Sequence, residues 1–145
     1  MCASPIPAVI AVVLHNDRVL LVRRANPPDA GLWGFPGGKI EYGETVKDAA
    51  TRELVEETGV RAQARDVITT VDVLVRNSSS AVEQHYILIA VQCHWVSGEP
   101  VAGDDALEAR WFPVADLDPS RLAMSADVDV IARQALASAS NLDAP

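Results

Sequence analysis

Five side chains in one short stretch could do chemistry together: Glu44, Arg52, Glu53, Glu56 and Glu57. If residues 45 to 58 are helical, their faces follow from a turn of about 100° per residue. With Glu53 set at zero, Val46, Ala49, Ala50 and Leu54 fall between about −40° and +100°, while Glu56 and Glu57 fall near −60° and +40°. Three carboxylates then project from or beside the apolar side of the helix, and Lys47, Asp48 and Thr51 take the far side. Carboxylates three and four residues apart repel one another. Partly burying them is costly unless something cationic compensates. Arg52 can neutralise part of that charge and orient a glutamate, but one guanidinium is too little for four acids. A hard divalent cation with oxygen ligands, Mg²⁺ or Mn²⁺, suits such a set.

The elements that must position these residues are also written in the chain. Gly37 and Gly38 precede the helix, and glycine accepts positive φ at no steric cost, so a flexible glycine turn is expected there. Thr45 is a good N-cap with Asp48 three residues on, close to a capping box. Gly59 supplies a stop, so the helix is expected to end at about Thr58.

The order Gly38, five residues, Glu44, seven residues, then Arg52-Glu53-Leu54-Val55-Glu56-Glu57-Thr58-Gly59-Val60 resembles the Nudix box at every fixed position. The flanking GLWGFPGG and GEP…EARWF stretches are also Nudix-like. The resemblance implies an α/β/α sandwich with a mixed sheet, and hydrolysis of a phosphoric anhydride in a nucleoside diphosphate linked to a further group. It implies Glu53, Glu56 and Glu57 as metal ligands, with the Gly38 carbonyl and Asp104 as further ones. It implies Glu53 as general base, and Arg52 and Glu44 as residues that orient the set. Asp104, Asp105 and Glu108 match a later loop from which some members draw a ligand or base. Arg23, Lys39, Phe35 and Glu108 are the candidates for holding substrate. Alternation along a strand lets only one of Arg23 and Arg24 face the pocket, and Arg23 is preferred. Trp33, Tyr86, Trp95 and Trp111 are further aromatic residues that could stack on a base.

The remaining sequence narrows the class. The chain has 145 residues, 49% of them hydrophobic, which suits one globular domain over residues 1–145. A net charge of −8 argues against a nucleic-acid surface. Cys2 and Cys93 have no metal-ligand spacing and form no disulfide framework, which fits a reducing, cytoplasmic setting. The apolar run from Ile6 to Leu14 is too short to span a membrane and lacks preceding basic residues, so it reads as a strand. A turn at Asn16-Asp17 leads to a second strand, Arg18 to Arg24, and both read as buried on two faces. Val67 to Val75 and Val82 to Trp95 read as a hairpin, Val101 to Glu108 as an exposed acidic loop, and Ala109 to Phe112 as a short strand. Ser125 is the expected cap of a last helix from Ala126 to about Ala137, with residues 138–145 frayed. His85 reads as structural. The edges of a mixed sheet leave room for a homodimer.

The substrate follows from finer resemblance. In style the chain is similar to small bacterial ADP-ribose pyrophosphatases, which makes ADP-ribose or a similar nucleotide sugar the first expectation. The proline that marks one ADP-ribose subfamily is missing, since no proline occurs from Arg61 to Glu99. Asn77 stands in the region of the tyrosine that marks diadenosine polyphosphate enzymes. Cleavage of (d)NTPs or oxidised nucleotides is therefore the second expectation. A non-catalytic nucleotide-binding module is the third, and the intact glutamates weigh against it.

Overall fold

A computed structural model describes residues 3–142. Its strands are β1 (Ile6–His15), β2 (Arg18–Arg24), β3 (Trp33–Gly34), β4 (Gly37–Lys39), β5 (Arg61–Arg76), β6 (Val82–Ser97) and β7 (Ala106–Pro113). Two α-helices, α1 (Val46–Thr58) and α2 (Val128–Leu142), join them. The strands form one mixed sheet in which β1 and β6 run parallel, from Ile6↔Tyr86 to Leu14↔His94, and every other pairing is antiparallel.

The continuous apolar run of β1 has the physical reason expected of it. Val9, Ala11 and Val13 pack on one face with Ala49, Ala50 and Leu54 of α1. Val12, flanked by Ile10 and Leu14, packs on the other face with Ile131, Ala132 and Ala135 of α2. Successive side chains of a strand point to opposite faces, so a strand between two helical layers must be apolar at every position. The α/β/α sandwich is thus formed, with α1 pressed against β1 by side chains that leave no solvent access to Leu54.

Several boundaries differ from expectation. β5 begins at Arg61 rather than Val67, because Arg61, Ala62 and Ala64 pair with Ser97, Trp95 and Cys93 of β6. β7 begins at Ala106, so the last residues of the expected acidic loop belong to a strand paired along β2. Ser125 does not cap α2: its N–H is engaged by the Trp33 carbonyl at 2.9 Å. The helix starts three residues later, after Asp127 in the left-handed region (φ 66), whose carbonyl accepts from Ile131. Residues 138–142 continue α2 rather than fraying, while 143–145 and Cys2 lie outside the described residues. Among the described residues no helix is long and apolar enough to cross a membrane.

Candidate active site

Helix α1 is fixed at both ends. The Thr45 hydroxyl accepts from the Asp48 N–H at 3.1 Å, and Gly59 (φ 73) donates to the Val55 carbonyl at 2.9 Å. The last carbonyls of a helix have no partner within it. Here the 101–104 segment supplies them, with Asp104 N–H donating to Glu56, Gly103 to Glu57 and Val101 to Thr58, at 3.3, 2.7 and 2.9 Å. A Cβ on Gly103 would collide with the Glu56 carbonyl, so only glycine allows this approach. The acidic loop is exposed, as expected, while its backbone docks as a cap on the metal-candidate helix.

Gly37 and Gly38 serve a purpose other than a flexible turn. Neither has a positive φ; they form β4, paired with Ile10 and Val9 of β1. What they provide is room. A Cβ on Gly37 would run into the Val9 carbonyl oxygen, and one on Gly38 would meet the Glu53 carboxyl carbon at 2.5 Å. The glycines let α1 lay its carboxylates directly against the backbone of β4.

Arg52 fans out over the acids. Its Nε and Nη2 donate to the two oxygens of Glu44 at 2.6 and 2.8 Å, a forked pair that fixes both side chains. Its Nη1 donates to Glu53 at 2.9 Å and reaches Glu56 at 3.3 Å, and its Nη2 also donates to the Lys39 carbonyl at 3.2 Å. Hydrogen bonding to Arg52 holds the Glu44 carboxyl down at about 2, and Glu44 in turn holds the guanidinium far above its usual range. Glu53 is pushed up by burial against the partial relief that Arg52 provides. Glu57 has no such arginine. Burial first, then the Glu53 charge, pushes it up to about 8, although the Gly37 N–H donates to it at 3.3 Å and Arg24 attracts it. Glu56 is the outermost of the three, with 45% of its side chain exposed, as its place on the helical wheel requires.

The sign of the Glu57 shift makes a prediction. An acid raised in the folded state contributes stability that is full below its unfolded value, near 4.5, and lost as pH rises through about 8. Glu44, which is lowered, acts oppositely and only as pH falls below 4.5. Without added metal, the Tm of wild type is expected to fall relative to Glu57→Gln between pH 5 and about 8. Parallel pH profiles for the two proteins would contradict this.

A cavity of about 560 Å³ opens beside the glycine strand. Phe35, Gly37, Gly38 and Lys39 line one side, Arg24 and the 27–29 loop the rim, and Val71, Tyr86 and Leu88 the β5–β6 wall. Ser125, Asp127 and Ile131 close it from the start of α2. Phe35 and Lys39, two of the candidates for holding substrate, thus line the cavity. Arg23 does not. It faces Glu108 across the β2–β7 pairing, with Nε 3.2 Å from the carboxylate, so these two candidates engage each other and not the cavity. Arg24, one residue on, faces the opposite way and lines the cavity, its Nε held by the Pro28 carbonyl at 2.8 Å. Asp104 contributes its backbone to the helix cap, whereas Asp105 is the loop acid whose charge acts on Glu57. The Asp105 carbonyl accepts from the Ala25 N–H at 3.1 Å, which ties the loop to the end of β2.

Of the aromatic candidates, Trp33 packs edge-on against Phe112 in the core, and Trp95 and Trp111 pack with His15. Only Phe35 and Tyr86 among them line the cavity. His85 pairs with Asp72 at 3.0 Å. Sequence reasoning missed the contribution of Ser125 and Asp127, because nothing local marks the two sides of a pre-helical turn.

Among the described residues no three His, Cys, Asp or Glu side chains are gathered as a ready metal site. Arg52 gathers Glu44, Glu53 and Glu56 around its guanidinium. The donor chemistry still fits a hard cation. Glu53 and Glu57 are neighbouring carboxylates on one side of α1, and burial raises the proton affinity of both.

Comparison with known proteins agrees with the fold. The NUDIX domain profile matches residues 4–134. The chain is 34% identical over 113 residues to an ADP-ribose pyrophosphatase of Methanocaldococcus jannaschii, covering 78% of this chain and 64% of that protein. It is 32% identical over 115 residues to the oxidized purine nucleoside triphosphate hydrolase of Mus musculus, covering 76% of this chain and 70% of that one. The crystal structure of a MutT NUDIX hydrolase from Burkholderia pseudomallei superimposes with a TM-score of 0.77 at 28% identity, over 90% of this chain and 98% of that one. With its box on α1, its glycine strand and its two-faced mixed sheet, the chain belongs to the Nudix hydrolase family.

Proposed function

We propose that the chain hydrolyses a phosphoric anhydride in a nucleoside diphosphate linked to a further group, giving a nucleoside monophosphate and a phosphorylated remainder. The observation that carries this reading is the juxtaposition of the 560 Å³ cavity with the Gly37–Gly38 strand, behind which Glu53 and Glu57 lie. A base and sugar fit the apolar part between Phe35, Tyr86 and Leu88, and the anhydride would then reach the glycine strand.

Glu53, Glu56 and Glu57, with the Gly38 carbonyl, would hold Mg²⁺ or Mn²⁺. Such a cation offsets the charge of the diphosphate and lowers the pKa of water. Glu53 is the proposed base, its raised proton affinity suiting it to take a proton from water. Arg52 holds Glu53 and Glu44 in place as a positioning residue. Arg52→Ala is expected to lower kcat by about 10- to 100-fold, less than loss of a ligand; a loss equal to that of Glu57→Gln would give Arg52 a larger part. Arg24 and Lys39 supply positive charge for the phosphates. Arg24→Ala is accordingly expected to raise KM by about tenfold, with Arg23→Ala near wild type. The reverse order in steady-state kinetics would return the role to Arg23.

ADP-ribose or a similar nucleotide sugar is the first substrate class, supported by the archaeal relative. A (d)NTP or oxidised nucleotide is the second, supported by the murine relative. Product analysis decides between them. AMP and ribose phosphate from ADP-ribose support the first, and pyrophosphate released from triphosphates in preference to ADP-ribose cleavage supports the second. No hydrolysis of either class with Mg²⁺ or Mn²⁺ would overturn both. The buried free thiol of Cys93 suits a reducing, cytoplasmic setting.

A further inference from the structure

β7 is one border of the sheet, since Arg23 of β2 pairs with Trp33 on one side and with Glu108 on the other. Its outer row of peptide groups pairs with no other strand among the described residues. An open row of this kind is a template for another strand. From Glu108 to Pro113 the pairing with β2 runs without a register shift, so the stretch is a regular strand.

Its charges are complementary to themselves. Glu108 and Arg110 stand two residues apart, on the same face. Antiparallel pairing of two copies about a two-fold axis at Ala109 sets Glu108 opposite Arg110 of the second copy, and by symmetry sets the reverse contact too. Both charges are already held in place. Glu108 is braced by Arg23 at 3.2 Å, and the Arg110 guanidinium lies 5.2 Å from the Trp33 ring and 5.0 Å from that of Phe112. Little side-chain freedom is then lost on pairing. Ala109 on the axis carries only a methyl group, which permits close approach. The opposite border, β5, is a poorer template, because register shifts between Ala64 and Val67 and again between Val67 and Thr69 twist its edge.

We propose that β7 is a self-pairing edge, through which two copies of this chain join antiparallel by reciprocal Glu108–Arg110 contacts. The contact is a short strand, so the dimer is weak and depends on concentration.

Sedimentation velocity across a concentration series tests this with wild type, Arg110→Glu, Glu108→Arg and an equimolar mixture of the two variants. Wild type is expected to dimerise. Each variant places like charges opposite one another twice and should weaken the dimer by about tenfold or more. The mixture restores opposite charges at both contacts and should dimerise as wild type does. If the reversals melt early, Arg110→Gln removes the charge while leaving a side chain on the rings, and it should still weaken the dimer. A wild type that stays monomeric throughout would overturn the proposal. So would variants that dimerise like wild type, or a mixture no tighter than its components.

Discussion

Glu57→Gln is expected to lower kcat by about 10³-fold while leaving the folded protein at least as stable as wild type above neutral pH. The two halves have one cause. Glu57 is desolvated, and it sits next to Glu53 with no arginine bonded to it, so its ionised form is held against burial and repulsion. Glutamine removes that repulsion and keeps an oxygen that can accept from the Gly37 N–H. It removes the charge that a divalent cation needs. Glu53→Gln should lose activity on the same scale, because its carboxylate faces Gly38 and is the proposed base. Steady-state kinetics with Mg²⁺, alongside thermal melts, check both. A Glu57→Gln protein that keeps near wild-type kcat would remove Glu57 from the ligand set.

Gly37→Ala is expected to have the largest effect on the fold, about 3 kcal/mol or more. Its Cβ would enter the Val9 carbonyl oxygen, and both atoms belong to paired strands. No side chain is available to rotate away, so β4 must leave β1 or the sheet must bend. Against a total stability of about 5–15 kcal/mol, that is a large fraction. Gly38→Ala should behave differently. There the obstacle is the end of the Glu53 side chain, which can move, so activity should fall more than stability. Chemical denaturation separates the two, and equal destabilisation by both substitutions would contradict the assignment.

This contrast marks where the sequence stopped being informative. Caps are local, so Thr45 and Gly59 could be read from the neighbouring residues. The two-sided burial of β1 could be read from its unbroken apolar run. The helical wheel placed Glu53, Glu56 and Glu57 on or beside the apolar side, and the structure sets Glu56 further out than Glu53. The need for glycine at 37 and 38 comes from what lies across from them, Val9 and Glu53, which are distant in the chain. The choice between Arg23 and Arg24 depended on which face of β2 meets the cavity. A strand apolar on both sides gives no clue to that. Asp105 was passed over for Asp104 because the docking of the loop on the carbonyls of α1 is a tertiary event. Two acids in succession look equivalent until one peptide group is committed to the cap.

The measurement closest to the central claim is a calorimetric titration of wild type and Glu57→Gln with Mg²⁺ and with Mn²⁺ at neutral pH, in buffers of different ionisation enthalpy. A Glu57 carboxyl held up at about 8 is mostly protonated at that pH, and it must give up its proton to bind a metal. Wild type is therefore expected to bind the cation with release of a proton, and Glu57→Gln to bind more weakly and release none. No binding by wild type, or equal binding without proton release by both, would contradict a metal held at the Glu53–Glu57 pair.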